Sequence, residues 1–71
     1  MFLKKIRELR EERGLTQQQL AQIMNIPLPT YNKYEAGLRI IPTELLIRIA
    51  DYFEVSIDYL TERTQERNMN R

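Results

Sequence analysis

The chain has 71 residues, with 11 basic and 10 acidic side chains and a formal charge of +1. That length suits one domain with one small core. Cysteine and histidine are absent, which excludes disulfides, thiol catalysis, the commonest metal ligand and the commonest general base. No apolar run is long enough for a membrane span or a signal-peptide core. The composition therefore predicts a cytoplasmic protein and argues against an enzyme, since so small a core leaves little room for a closed pocket; no metal and no cofactor are expected.

Glycine and proline divide the chain into five blocks, each with helical spacing. The first covers residues 3–13, with Leu3, Ile6, Leu9 and Arg10 on one face. Gly14 follows, in the place of a left-handed residue after a helix end. The second covers 17–24, with Leu20, Ala21, Ile23 and Met24 predicted inward. The third covers 28–36 and carries Tyr31 and Tyr34. The fourth covers 44–53, with Leu45, Leu46, Ile49, Ala50 and Phe53 inward, and the fifth begins at Ile57 and includes Tyr59 and Leu60. Thr16, Thr43 and Ser56 are the expected N-caps. Thr16 and Gln19 have capping-box spacing, and hydrophobic staples are expected for the pairs Leu15 and Leu20, Val55 and Leu60, Ile26 and Tyr31, and Pro42 and Ile47. Pro27 offers no capping side chain, and Pro29 costs no hydrogen bond in a first helical turn. The polar tail, 63–71, is predicted to fray.

Charge is unevenly spread. Residues 1–13 hold five bases (Lys4, Lys5, Arg7, Arg10, Arg13) against three acids (Glu8, Glu11, Glu12). Residues 40–62 hold Arg48 against Glu44, Asp51, Glu54, Asp58 and Glu62. The gradient fits either a solvated mixed surface or a polyanion partner for the first half. Blocks two and three are joined by Asn25-Ile26-Pro27, where Asn tolerates the left-handed geometry of a sharp turn. Such a corner is either a plain helical hairpin or a helix-turn-helix, whose second helix enters the DNA major groove.

The ordered series Thr16-Gln17, Leu20-Ala21, Ile26, Thr30-Tyr31, Tyr34-Glu35, Gly37, Pro42, Leu46, Ile49-Ala50 and Val55-Ser56 through Asp58-Tyr59-Leu60 resembles the lambda-repressor-like helix-turn-helix family of bacterial and phage regulators. The resemblance implies an all-α, compact five-helix domain over 1–62, with the helix-turn-helix proper at 16–36. It also implies a DNA-binding transcriptional regulator, expected to be a repressor, that acts as a homodimer on double-stranded DNA. By this likeness Gln17 and Gln18 open the second helix against the DNA backbone, with Thr30 and Arg39 as further backbone contacts. The outward face of the third helix is Leu28, Pro29, Asn32 and Lys33. Lys33 suits guanine O6 or N7, or else a phosphate; Asn32 suits adenine or the backbone. Arg10 and Glu35 match an ion pair between the first and third helices, with a phosphate contact as a second role for Arg10. Tyr31 and Tyr34 match apolar core positions, each with a hydroxyl that can reach a phosphate. Val55, Ile57 and Tyr59 either make the dimer contact or close the monomer core.

Two departures from the family stand out. Leu28 and Pro29 occupy positions that are usually polar; they suit thymine methyl groups and take away a partner for Gln17. Pro27 replaces the usual capping hydroxyl. An apolar corner of this kind also fits a protein partner, so the alternative reading is an antitoxin or small adaptor of the same fold, bound to a toxin or a second regulator.

Overall fold

A computed structural model of the protein describes residues 4–62. Among these the secondary structure is entirely helical: α1 (Lys4–Glu12), α2 (Gln17–Met24), α3 (Leu28–Ala36), α4 (Thr43–Phe53) and α5 (Ile57–Leu60). All five expected helices are present. The proposed fraying of 63–71 and the inward Leu3 lie outside the described residues.

Four helices end by the same device. After α1, α2, α3 and α4 comes a residue in the left-handed region: Gly14 (φ 68°), Asn25 (φ 60°), Gly37 (φ 79°) and Glu54 (φ 57°). The next amide then reaches back across the turn: Leu15 N–H to Arg10 O at 3.0 Å, Ile26 to Ala21 at 3.0 Å, Leu38 to Lys33 at 2.8 Å and Val55 to Ala50 at 3.0 Å. This is the Schellman closure, in which a residue just past the left-handed position commonly packs back on the helix. Leu15 and Ile26 are half-buried against the core and Val55 is buried, whereas Leu38 is 78% exposed.

Glu54 was not foreseen as a left-handed position, because only Gly and Asn advertise that geometry in a sequence. A residue with a Cβ is strained there, and glycine is not. Glu54→Gly is therefore expected to stabilise the domain by about 0.5 kcal/mol after its extra unfolded-chain entropy is subtracted. Thermal melting should rise by about 2–4 °C. Asn25→Gly should move it far less, since Asn already tolerates the geometry.

The helix starts follow two patterns. Thr16 and Ser56 cap with their hydroxyls: Thr16 Oγ1 accepts from Gln19 N–H at 3.0 Å, Gln19 Oε1 accepts from Thr16 N–H at 2.8 Å, and Ser56 Oγ accepts from Tyr59 N–H at 3.0 Å. α3 and α4 instead start after prolines, Pro27 and Pro42, with no side-chain cap. The expected cap at Thr43 is thus corrected: Thr43 is the first helical residue. The proline ring fixes φ at a value a cap position accepts, so the helix begins one residue earlier. The staple positions shift with it, from Pro42 and Ile47 to Ile41 and Leu46. Both of these are half-buried against the core, and Ile47 is exposed.

The core joins all five helices through Ile6, Leu9, Leu20, Ala21, Tyr31, Ile49, Phe53 and Leu60 among others. Ile23 was expected inward but is 41% exposed. Leu20, Ala21 and Met24 already fill the inner arc of α2, and Ile23 falls on its flank at 100° per residue. Lys5 Nζ of α1 sits 5.2 Å from the Tyr59 ring centroid, and Arg13 Cζ, in the turn after α1, sits 5.3 Å and 5.1 Å from those of Tyr52 and Phe53. These cation–π contacts tie α1 to the C-terminal helices.

Candidate nucleic-acid interface

α2 and α3 meet across the turn at Asn25-Ile26-Pro27, and the Schellman closure fixes the direction in which α3 departs. α3 has two unlike faces. Tyr31 and Glu35, one turn apart, are buried; Tyr34 is half-buried; Pro29, Asn32, Lys33 and Ala36 are exposed. Four-residue spacing puts Tyr31 and Glu35 on one stripe, and Asn32 and Ala36 on the next.

Beneath α3 lies a polar network centred on Glu35, which is 4% exposed. Arg10 Nε donates to Glu35 Oε2 at 3.1 Å and Arg10 Nη2 to Oε1 at 3.0 Å, a bidentate pair. Arg10 Nη1 donates to the Leu15 carbonyl at 2.7 Å. Gln17 Nε2 donates to Glu35 Oε1 at 3.1 Å, and the Tyr31 hydroxyl donates to Glu35 Oε2. An ionised carboxylate only accepts, so the amide nitrogen of Gln17 faces Glu35 and its oxygen is left for other donors. Among the described residues no buried side-chain polar atom lacks a partner.

The electrostatics follow from this geometry. Burial pushes the Glu35 carboxyl up, but the hydrogen bonds from Arg10, Tyr31 and Gln17, with the guanidinium charge, outweigh it and hold the group below its usual range. Burial also works against the charge on Arg10, and Glu35 reverses that, raising the guanidinium further. The Tyr31 phenol is pushed up by burial and then by its bond to the Glu35 carboxylate, so it stays a donor.

The structure sorts the sequence-derived site residues into groups. Arg10, Gln17, Asn32 and Glu35 border one open concavity of about 350 Å³. Lys33 and Pro29 are exposed on the outer side of α3, Gln18 is exposed near the start of α2, and Arg39 is exposed in the loop after α3. Thr30 is half-buried, and Leu28 is half-buried against the core, so its side chain is only partly available to a ligand. Tyr31 is a core residue and not a phosphate contact, being 1% exposed. The proposed dimer trio also divides. Val55 and Tyr59 are 3% and 4% exposed and close the monomer core, so the dimer role read for their side chains is corrected; Ile57 alone of the three is exposed.

Sequence reasoning missed two partners of Glu35. The Tyr31 bond was legible in the four-residue spacing on one helix. The Gln17 bond links residues on different helices, and no local signal announces it. Arg7 was read only as part of a charge total, yet it lines the same concavity.

A helix-turn-helix family model matches residues 6–60. The chain belongs to the lambda-repressor-like helix-turn-helix family. It is 38% identical over 60 residues to the uncharacterized HTH-type transcriptional regulator YqaE of Bacillus subtilis, covering 84% of this chain and 52% of that protein. It is 46% identical over 48 residues to the cryptic phage CTXphi transcriptional repressor RstR of Vibrio cholerae, covering 68% of this chain and 43% of that protein. The HTH-type transcriptional regulator ImmR of Bacillus subtilis is 30% identical over 67 residues, 94% of this chain and 53% of ImmR. The chain spans about half the length of the curated relatives it matches. No solved structure gives a significant match. The matched span, residues 6–60, takes in α2, α3 and α4 whole, together with most of α1 and all of α5. No helix among the described residues is long and apolar enough to cross a membrane.

Proposed function

We propose that the chain is the DNA-binding module of a sequence-specific transcriptional regulator, a repressor, that reads the major groove with α3. One observation carries the reading. α3 is fastened from inside by the four donors on Glu35, while Asn32 and Lys33 stand exposed on its outer side. A rigid helix with a polar outer face is what base readout requires. Lys33 and Asn32 read base edges, Pro29 and the exposed part of Leu28 meet thymine methyl groups, and Gln18, Thr30 and Arg39 contact the backbone. Arg10 acts through Glu35, because each of its three guanidinium nitrogens already donates within the chain. The names of the relatives favour a regulator over a toxin-neutralising adaptor. The module is a binding protein and not an enzyme; it works in the cytoplasm, and it pairs with a second copy through a surface that includes Ile57.

Selection of bound sites from a random duplex library tests this. The expected result is a palindrome with half-sites about 34 Å apart. Recovery of no enriched site would remove the reading. On the selected duplex, Lys33→Ala is expected to cost about 1–3 kcal/mol of binding free energy. An equal loss on random DNA would reassign Lys33 to the phosphate backbone.

A further inference from the structure

We infer that Arg48 is a positioning residue for α3: it anchors the end of α2 from which α3 departs, and so sets base discrimination without touching DNA; this rests on the DNA-binding reading above. Arg48 Nη2, on α4, donates to the Met24 carbonyl at 2.9 Å. Met24 is the last residue of α2, and its carbonyl is one of those that a helix end leaves without an intrahelical partner. The turn itself uses carbonyls further back, with Asn25 N–H on Gln22 O and Ile26 N–H on Ala21 O, both at 3.0 Å. α2 has no basic residue in its last turn, so the positive group that a helix C-terminus favours comes from another helix. Arg48 is the one base among residues 40–62. Glu44 and Asp51 stand four residues before and three after it, the spacings of helical ion pairs, yet its guanidinium reaches across to α2.

The two ends of α3 are held differently. Toward its C-terminal end, Glu35 accepts four hydrogen bonds. Its start has Pro27 in the cap position and no side-chain cap. Ile26 packs half-buried against the core there, but apolar burial is non-directional. The Arg48 bond is directional, and it fixes the plane of the Met24–Asn25 peptide. That peptide is the last before the chain turns through left-handed Asn25. With Glu35 held and the turn loosened, the start of α3 is free to shift, and Pro29, Asn32 and Lys33 lie between the two anchors. Hydrogen bonds to base edges tolerate little displacement, whereas long side chains on phosphates absorb it. Loss of the Arg48 bond therefore costs sequence discrimination more than general affinity.

The test measures binding of the full chain to a selected duplex and to a random-sequence duplex between about 50 and 200 mM salt. The temperature is one at which circular dichroism shows each variant folded. Arg48→Met keeps the aliphatic stem and removes the donor. It is expected to bind the selected duplex about three- to tenfold more weakly, the value of one hydrogen bond. Binding to the random duplex, which comes from phosphate contacts, should stay within about twofold of wild type. The slope of log affinity on log salt should be unchanged, and Arg48→Lys, which restores a cationic donor, should lie nearer wild type on the selected duplex. Site selection repeated with Arg48→Met should return the same consensus, less enriched at every position. Unchanged affinity for the selected duplex overturns the inference while leaving the DNA reading intact. An equal loss on both duplexes overturns it, because Arg48 would then act on stability alone. A slope shallower by about 0.9 overturns it as a direct phosphate contact, and a consensus altered at one base pair overturns it as a direct base contact. Failure of the wild-type chain to prefer the selected duplex removes the DNA reading itself, and the positioning role with it.

Discussion

Replacing Glu35 by alanine is expected to destabilise the domain by about 3–5 kcal/mol, because the Arg10 guanidinium would remain buried without its counter-charge. Domains have roughly 0.05–0.15 kcal/mol of stability per residue, so a loss of that size approaches the whole for a chain this short. Arg10→Ala should cost a similar amount for the mirror reason. The loss comes from the stranded partner and does not measure what the pair contributes. Replacing both by apolar residues of similar size, Arg10→Met with Glu35→Leu, should therefore recover much of it. Recovery should stay incomplete while the Tyr31 hydroxyl and the Gln17 amide lack the acceptor they now share. Adding Tyr31→Phe should restore more. Urea unfolding followed by circular dichroism measures each step. A double variant no more stable than Glu35→Ala would show that the penalty does not arise from uncompensated charge.

The same network predicts the acid limit of the fold. Glu35 binds its proton less readily in the folded chain than in the unfolded one. Its contribution is therefore complete above the unfolded carboxyl pKa of about 4.3 and disappears as pH falls through the lower folded value. A stability profile should bend downward in that acid window, and the bend should be absent from the apolar double variant.

Leu20→Ala is expected to cost about 2–5 kcal/mol, the range for removing a fully buried leucine. Leu20 is wholly buried, lies one turn into α2 after the Thr16 cap, and belongs to the core shared with Tyr31 of α3. A cavity there loosens the packing that sets the angle between α2 and α3, so on the proposed function DNA affinity should fall along with stability. Leu38→Ala is the matched control. Leu38 is 78% exposed, and the change should stay within about 0.5 kcal/mol. Equal losses at the two leucines in denaturant titrations would contradict the burial assigned to them.

Much of the fold was legible because its signals are local. Gly14, Asn25 and Gly37 mark helix ends by their tolerance of left-handed backbone, and Thr16 with Gln19 marks a start by spacing alone. The ordered series of polar and apolar positions from Thr16 to Leu60 carried the family likeness. Where local signals compete, the reading slipped: Pro42 and Thr43 both suit a helix start, and the ring of Pro42 prevailed. Glu54 carries no such mark, and its left-handed geometry follows from the Schellman closure that lets Val55 reach the core.

The site divides in the same way. The pairing of Arg10 with Glu35, and the outward position of Asn32 and Lys33, followed from family likeness and helical period. That Val55 and Tyr59 face the core while Ile57 does not, that Gln17 donates to Glu35, and that Arg7 borders the same concavity as Asn32 of α3 are products of packing. The one-dimensional order of residues determines backbone conformation and hydrophobic period, since those depend on near neighbours. Which polar groups meet depends on how helices far apart in the chain pack together, and burial then forces each buried donor and acceptor to find its partner there.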